Sequence, residues 1–64
     1  MRLGAEIRKA RIDKGWQQQD LQKATLISQT YLSKIELDKV DPSISVVVRI
    51  AKALNVSIDH LTKE

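Results

Sequence analysis

Apolar positions recur with the period of an α-helix along most of the chain. In the N-terminal segment Leu3, Ile7 and Ala10 follow an i, i+4, i+7 spacing, with charged side chains between them. This pattern predicts a first helix that ends near Lys14-Gly15, because glycine is favoured just after a helix C-terminus.

Two short helical patterns separated by a brief break follow. The first begins near Gln18, has Leu21 and Ala24 as apolar positions, and stops before Leu26-Ile27. The second opens at Ser28, a good N-cap, and its apolar stripe holds Tyr31, Leu32 and Ile35. Two helices joined so closely match a helix-turn-helix. Amide, hydroxyl and ammonium groups, which can bond to base edges, lie on the opposite face of the second helix: Gln29, Thr30, Ser33 and Lys34. DNA recognition is therefore the leading hypothesis.

A fourth and a fifth helix complete the predicted fold. Ser43 is the expected N-cap of the fourth helix, Asn55 its left-handed C-terminal residue, and Ser57 the cap of a short last helix. The run of residues 46–48 alone would favour a strand, but the helical period over residues 44–54 outweighs it. The expected buried stripe is Ile44, Val47, Ala51 and Leu54, with Ile50 beside it.

The fold class expected from these patterns is all-α. The helices are predicted at about residues 2–14, 18–25, 28–37, 44–54 and 58–63 of one compact domain spanning residues 1–64. Such a short chain has room for one domain. It has no cysteine and one histidine, His60, so we expect no disulfide, no metal site and no cofactor. It also lacks a nucleophile–base pair, a glycine-rich phosphate loop and a carboxylate cluster, which argues against an enzyme.

Positive charge is concentrated in the first part of the chain. Residues 1–40 carry eight Lys/Arg and five Asp/Glu, whereas residues 41–64 carry three of each. A positive segment that contains the candidate reading helix fits a polyanionic partner, although an ordinary solvated surface has the same composition. No apolar run approaches the ~20 residues of a membrane span. We therefore expect a soluble cytoplasmic protein, associated with the nucleoid if it is bacterial or from a phage.

Several motifs in a fixed order carry a family resemblance. They read R-K-A-R-I-D-K-G-W (8–16), Q-x-D-L (18–21), I-S-Q-T-Y-L-S-K-I-E (27–36), P-S-I (42–44) and R-I-A-K-A-L-N-V-S (49–57). In this order the chain resembles the lambda-repressor-like helix-turn-helix family, the Cro/repressor or xenobiotic-response-element type, from about Leu3 to Leu61. The resemblance implies a five-helix DNA-binding domain whose helices 2 and 3 form the helix-turn-helix.

The resemblance also implies which residues contact DNA. Gln29 and Thr30 become the first base readers, with Ser33 and Lys34 one turn further on. Gln18 matches a family glutamine that contacts phosphate and can brace Gln29. The alternative is that these are solvated polar residues, and Tyr31 could equally pack at the helix edge. The expected contacts with the DNA backbone are Gln18, Ser28, Tyr31, Lys14, Lys23 and Lys39.

Arg11 and Glu36 match a family ion pair that ties the first helix to the end of the reading helix, and we expect it to be largely shielded from water. Three positions depart from the family pattern: Gln22 replaces a small alanine, and Leu26 and Asp38 replace glycines. A leucine in a left-handed conformation would cost about 1–2 kcal/mol. The expectation is therefore that the fold survives while the turn differs locally, with Leu26 facing outward or into a partner.

A two-fold homodimer on double-stranded DNA is the expected functional state, since one reading helix covers too few base pairs for selective binding. The family resemblance implies that such a dimer would use surface near the last two helices. The competing hypothesis is a protein-interaction module, such as an antitoxin or anti-repressor domain, with Leu26 or Leu37 marking the partner surface. The dimer candidates, some of which could instead belong to the core, are Val46, Val48, Asn55, Val56 and Ile58.

Overall fold

A computed structural model describes residues 3–62, which form five helices and no strand. They are α1 (Leu3–Asp13), α2 (Gln18–Thr25), α3 (Gln29–Glu36), α4 (Ile44–Leu54) and α5 (Ile58–Thr62). The all-α prediction is confirmed, and the predicted bounds differ by at most one residue at any described end. The predicted helix ends at residues 2 and 63 lie outside the described residues. Between residues 3 and 62 no helix is long and apolar enough to cross a membrane.

Each helix contributes an aliphatic side chain with no solvent exposure to a shared core. These are Ile7, Leu21, Leu32, Ile50 and Leu61, all with 0% exposure. Burying one such side chain stabilises the fold by about 1.5–3 kcal/mol. Packing joins α1 to α3 and α5, and α2 to α3 and α4. The candidate reading helix α3 is thus packed against both α1 and α2, and all three helices share the same core.

The helix termini form where local sequence signals predict them. The hydroxyl oxygens of Ser28, Ser43 and Ser57 each accept a hydrogen bond from the backbone N–H three residues later, at 3.2, 3.4 and 3.0 Å. Gly15 (φ 78°) and Asn55 (φ 58°) take the left-handed conformation after α1 and α4. All five predicted terminal residues are confirmed.

The expected burial of Ile44 is wrong, since its side chain is 67% exposed. The buried stripe of α4 begins one turn later, at Val47. Ile44 follows the N-cap Ser43 directly and so lies in the first turn of α4. In α2, likewise, Ala24 is exposed and Thr25 is buried. The Thr25 hydroxyl donates to the Leu21 carbonyl at 2.7 Å, which satisfies it inside the core.

The turn between α2 and α3 keeps a left-handed residue. Leu26 has φ 61° and ψ 22°, and its side chain is 86% exposed. The expectation of a locally different turn is therefore wrong for the backbone, whereas the outward orientation of Leu26 is confirmed. Its N–H donates to the Gln22 carbonyl at 2.7 Å, which closes α2. Gln22 is half-buried, and among the described residues every buried side-chain N or O atom has a hydrogen-bond partner.

Leu26→Gly should stabilise the protein by about 0.5–1 kcal/mol. Relief of the left-handed leucine contributes about 1–2 kcal/mol, and the greater entropy of glycine in the unfolded chain offsets part of this gain. The matched control is Leu37→Gly, because Leu37 is also exposed but has φ −91°, so its replacement should give no gain. Thermal unfolding measures both. A melting temperature that does not rise for Leu26→Gly would show that the turn is not strained.

Gly4 lets α1 approach the C-terminal end of α3 closely. A Cβ atom at this position would meet the Ile35 carbonyl oxygen and lie 2.7 Å from the Glu36 carbonyl oxygen. The Gly4 N–H donates to Asp38 Oδ1 at 2.9 Å, which gives a first-turn donor of α1 an anionic partner. Asp38 itself is left-handed, with φ 57°. This contact fixes the end of α3 against the start of α1, and the sequence patterns did not indicate it.

Candidate nucleic-acid interface

One face of α3 is polar and open to solvent, opposite the face that packs into the core. Leu32 and Ile35 are buried at 0% and 1% exposure. Because a helix turns through 3.6 residues, the remaining positions lie on the outer side. The predicted base readers occupy that side: Gln29, Thr30 and Lys34 are exposed and Ser33 is half-buried.

Two open depressions flank Gln29, which lines both of them. The first lies between α3 and the start of α2, and its lining is Gln18, Gln29, Thr30, Ser33, Lys34, Leu37 and Lys39. The second lies beside the turn between the two helices, and its lining is Gln19, Gln22, Lys23, Leu26, Ser28 and Gln29. The structure therefore brings together all four predicted base readers and four of the six predicted backbone contacts.

The charge of this surface is positive. Among the described residues that line the two depressions there are three lysines, Lys23, Lys34 and Lys39, and no carboxylate. Glu36, at the end of α3, is 7% exposed and buried behind the surface. Inside the two depressions an anionic partner would therefore meet ammonium, amide and hydroxyl groups and no carboxylate. The Asp20 carboxylate lies in the first turn of α2, where it caps the Gln17 N–H.

Arg11 and Glu36 form a bidentate ion pair at the positions that the family resemblance indicated. Arg11 Nε lies 2.8 Å from Glu36 Oε2, and Arg11 Nη2 lies 3.1 Å from Glu36 Oε1. The side chains are 11% and 3% exposed. Arg11 Nη1 also donates to the Trp16 carbonyl at 2.8 Å. One guanidinium thus connects α1, the segment before α2 and the end of α3.

Gln18 has a different partner from the expected one. Its Nε2 donates to Glu36 Oε1 at 3.2 Å, and no hydrogen bond to Gln29 occurs within the described residues. Gln18 and Gln29 nevertheless line the same depression. In this structure the Gln18 amide nitrogen thus binds the buried carboxylate, and the brace between the two glutamines stays a prediction for the DNA-bound protein.

The other predicted backbone contacts occupy varied environments. Tyr31 is half-buried and packs against the core, as in the alternative that placed it at the helix edge. Lys14 Nζ lies 4.9 Å from the Trp16 ring centroid, within cation–π range. Lys23 and Lys39 are exposed. The two depressions contain neither Tyr31 nor Lys14.

The predicted dimer residues are only partly available at the surface. Val46, Val56 and Ile58 are half-buried and pack against the core, and Val48 is half-buried as well. Asn55 is exposed and occupies the C-cap of α4. Val46, Val56 and Ile58 therefore belong partly to the core, and Asn55 is the most accessible residue of the five.

Leu37 also lines the first depression, a position that the sequence patterns did not predict. It is 61% exposed and lies beside polar side chains of α3. Its spacing from Thr30 is seven residues and from Lys34 three, which are same-face spacings in a helix. Helical periodicity alone could therefore have assigned it to the reading face.

Known proteins share the fold of this chain, and one family model matches its sequence. A helix-turn-helix family model matches residues 7–61, whereas no sequence among the curated proteins matches. The fold is similar to that of the restriction-modification controller protein C.AhdI from Aeromonas hydrophila, with a TM-score of 0.90, 23% identity, and coverage of 94% of this chain and 91% of that chain. A hypothetical transcription factor NHTF from Neisseria gives a TM-score of 0.87 at 30% identity, over 92% of this chain and 68% of that chain.

Proposed function

The chain belongs to the lambda-repressor-like helix-turn-helix family of DNA-binding proteins, and from that premise we propose that it is a sequence-specific transcriptional regulator whose α3 enters the major groove. The observation that carries this proposal is the carboxylate-free polar face of α3, which shares a depression with the start of α2. A role in transcription is supported by the likeness to a hypothetical transcription factor. Repressor-like action is the form that the family resemblance favours.

The proposed base contacts follow from the chemistry of the exposed side chains. A helix of about 10–12 Å diameter fits a major groove about 12 Å wide. The Gln29 amide can bond adenine N6 and N7 together, and the Lys34 ammonium can bond guanine O6 and N7. Thr30 and Ser33 supply hydroxyl groups, which can donate a hydrogen bond to an acceptor or accept one from a donor on a base edge.

The proposed phosphate contacts surround this face. At the start of α2 the Asp20 carboxylate already caps the Gln17 N–H at 2.8 Å. The N–H groups of Gln18 and Gln19 are therefore the ones that a DNA phosphate could use there. Gln18 lies at that position, while Lys23 and Lys39 are exposed beside the two depressions. These groups would fix the register of α3 in the groove without reading sequence. Ser28, Tyr31 and Lys14 complete the proposed set, and each of them also has a contact within the protein.

A two-fold homodimer is the proposed functional assembly. Partly exposed side chains near α4 and α5, including Val48 and Asn55, support a contact surface there. A symmetric dimer would present two reading helices to half-sites about 34 Å apart. Each copy would then contribute the same contacts to one half of a palindromic site.

A protein-interaction module is the second candidate. The exposure of two leucines, Leu26 at 86% and Leu37 at 61%, favours it, because large exposed apolar side chains often mark partner surfaces. An antitoxin or anti-repressor domain would bury these leucines against another protein. The two candidates differ in their affinity for duplex DNA.

Binding to duplex DNA should weaken steeply as salt rises. Each phosphate contact made by a cation contributes about −0.9 to the slope of log K against log salt. Lys39→Gln should therefore reduce the magnitude of that slope by about 1. The matched control is Lys52→Gln, on the exposed side of α4 outside both depressions, which should leave the slope unchanged. Fluorescence anisotropy with a labelled random duplex measures the salt slope of the unaltered protein and of both variants. Absence of binding by the unaltered protein at low salt would contradict the DNA proposal and favour the interaction module.

A further inference from the structure

We propose that Glu36 is a positioning residue for DNA binding, which holds the Gln18 amide so that its free N–H donates to a DNA phosphate at the start of α2. This inference rests on the proposed function and adds a role to a residue that otherwise belongs to the structural ion pair. Glu36 would act through Gln18 and would not touch the DNA.

The chemistry of the two side chains fixes the orientation of the amide. A carboxylate only accepts hydrogen bonds, so the amide nitrogen of Gln18, and not its carbonyl oxygen, must face Glu36. The observed 3.2 Å contact joins Gln18 Nε2 to Glu36 Oε1 accordingly. An amide nitrogen carries two N–H groups, of which this contact uses one. The second N–H stays available to an acceptor outside the protein.

Glu36 can act as an anchor because it is itself immobilised. Its side chain is 3% exposed, and both carboxylate oxygens bind the Arg11 guanidinium. Oε1 therefore accepts from two donors, Arg11 Nη2 at 3.1 Å and Gln18 Nε2 at 3.2 Å. Arg11 also holds the Trp16 carbonyl, two residues before α2 begins. The position of the Gln18 amide is thus tied to both the start of α2 and the end of α3.

The location of Gln18 makes this orientation relevant to DNA. It is the first residue of α2 and lines the depression that also contains Gln29 and Thr30. A phosphate that approaches the backbone N–H groups of Gln18 and Gln19, next to the Gln17 N–H that Asp20 caps, would meet the second Gln18 side-chain N–H there. Without the carboxylate anchor, the side chain would rotate freely and could turn its carbonyl oxygen toward the phosphate. Glu36 thereby sets where the phosphate contact lies relative to the base readers.

A double-mutant cycle on one duplex at one salt concentration tests the proposal. Gln18→Met removes the amide while keeping the length of the side chain, and should weaken binding about tenfold, as expected for one lost hydrogen bond to a charged group. Glu36→Gln should weaken binding by a similar factor, yet cause no further loss in the Gln18→Met background. Losses that multiply would assign Glu36 a structural role only and overturn the proposal. Gln19→Met is the matched control, and its effect should multiply with that of Glu36→Gln.

A second measurement covers the possibility that Glu36→Gln does not fold. Glu36→Asp keeps a negative charge beside Arg11 but withdraws the carboxylate from Gln18 by one methylene. NMR should detect slowly exchanging Nε2 protons of Gln18 in the unaltered protein and faster exchange in Glu36→Asp. Equal exchange rates would overturn the proposal. If the unaltered protein binds no duplex, the proposed function fails; if it binds and the losses multiply, only the role of Glu36 fails.

Discussion

Arg11→Ala should lower the free energy of unfolding by about 3–5 kcal/mol, the cost expected when one partner of a buried ion pair is removed. The substitution leaves the Glu36 carboxylate, 3% exposed, with the neutral Gln18 amide as its remaining side-chain donor. It also removes the donor to the Trp16 carbonyl. Domains gain only about 0.05–0.15 kcal/mol of stability per residue, so the loss is comparable to the total stability of a 64-residue chain.

Urea unfolding followed by circular dichroism measures this loss. Arg8→Ala is the matched control, because Arg8 lies on the same helix and is exposed. Its effect should stay within about 0.5 kcal/mol. An unfolding midpoint of Arg11→Ala equal to that of Arg8→Ala would mean that the ion pair does not hold α1 and α3 together.

Local sequence signals predicted the helices and their ends. Each serine cap needs only its own hydroxyl and an N–H three residues later, and Asn55 needs only its own left-handed backbone. Such interactions lie within one turn of chain, so the sequence of that turn contains the whole cause. For this reason the sequence alone was enough to predict Ser28, Ser43 and Ser57 as N-caps.

Interactions between distant residues decided the features that the sequence did not predict. The Gly4 N–H meets Asp38 across 34 positions, and the Gln18 amide meets Glu36 across 18. The expected burial of Ile44 failed because periodicity gives the direction of a side chain but not the length of helix that its neighbours cover. Leu26 kept the left-handed turn because packing of α2 and α3 on both sides outweighs about 1–2 kcal/mol of backbone strain.

In the candidate site, too, local patterns predicted some features and packing between helices decided the others. Periodicity placed Gln29, Thr30 and Lys34 on the exposed face of α3, where the structure has them. The partner of Gln18 depended on how α2 and α3 pack, which no local pattern contains. The amino acids at the reading positions limit the bases that can be bonded. The docking angle and the shape of the DNA decide which bases are reached.

Gln29→Ala should reduce sequence discrimination and leave nonspecific binding intact. A bidentate glutamine–adenine pair contributes about 1–3 kcal/mol against a wrong base, which is about 5- to 150-fold in relative affinity. Gln29 is exposed and lines both depressions, so its truncation should not disturb the core. Because the side chain is neutral, the affinity for random duplex and its salt slope should not change.

Selection of bound sites from a random duplex pool supplies the sequence needed for this measurement. A dimer should select two related half-sites about 34 Å apart. Replacing one particular adenine in each half-site should lower the affinity of the unaltered protein but not that of Gln29→Ala. Gln19→Ala is the matched control, since Gln19 is an exposed glutamine on α2 outside the reading helix; it should keep the full discrimination at that adenine. Equal discrimination by Gln29→Ala and the unaltered protein would remove Gln29 from the base readers. Since Thr30 follows Gln29 directly on the exposed face of α3, the reading would then have to begin one residue later, with α3 rotated in the groove.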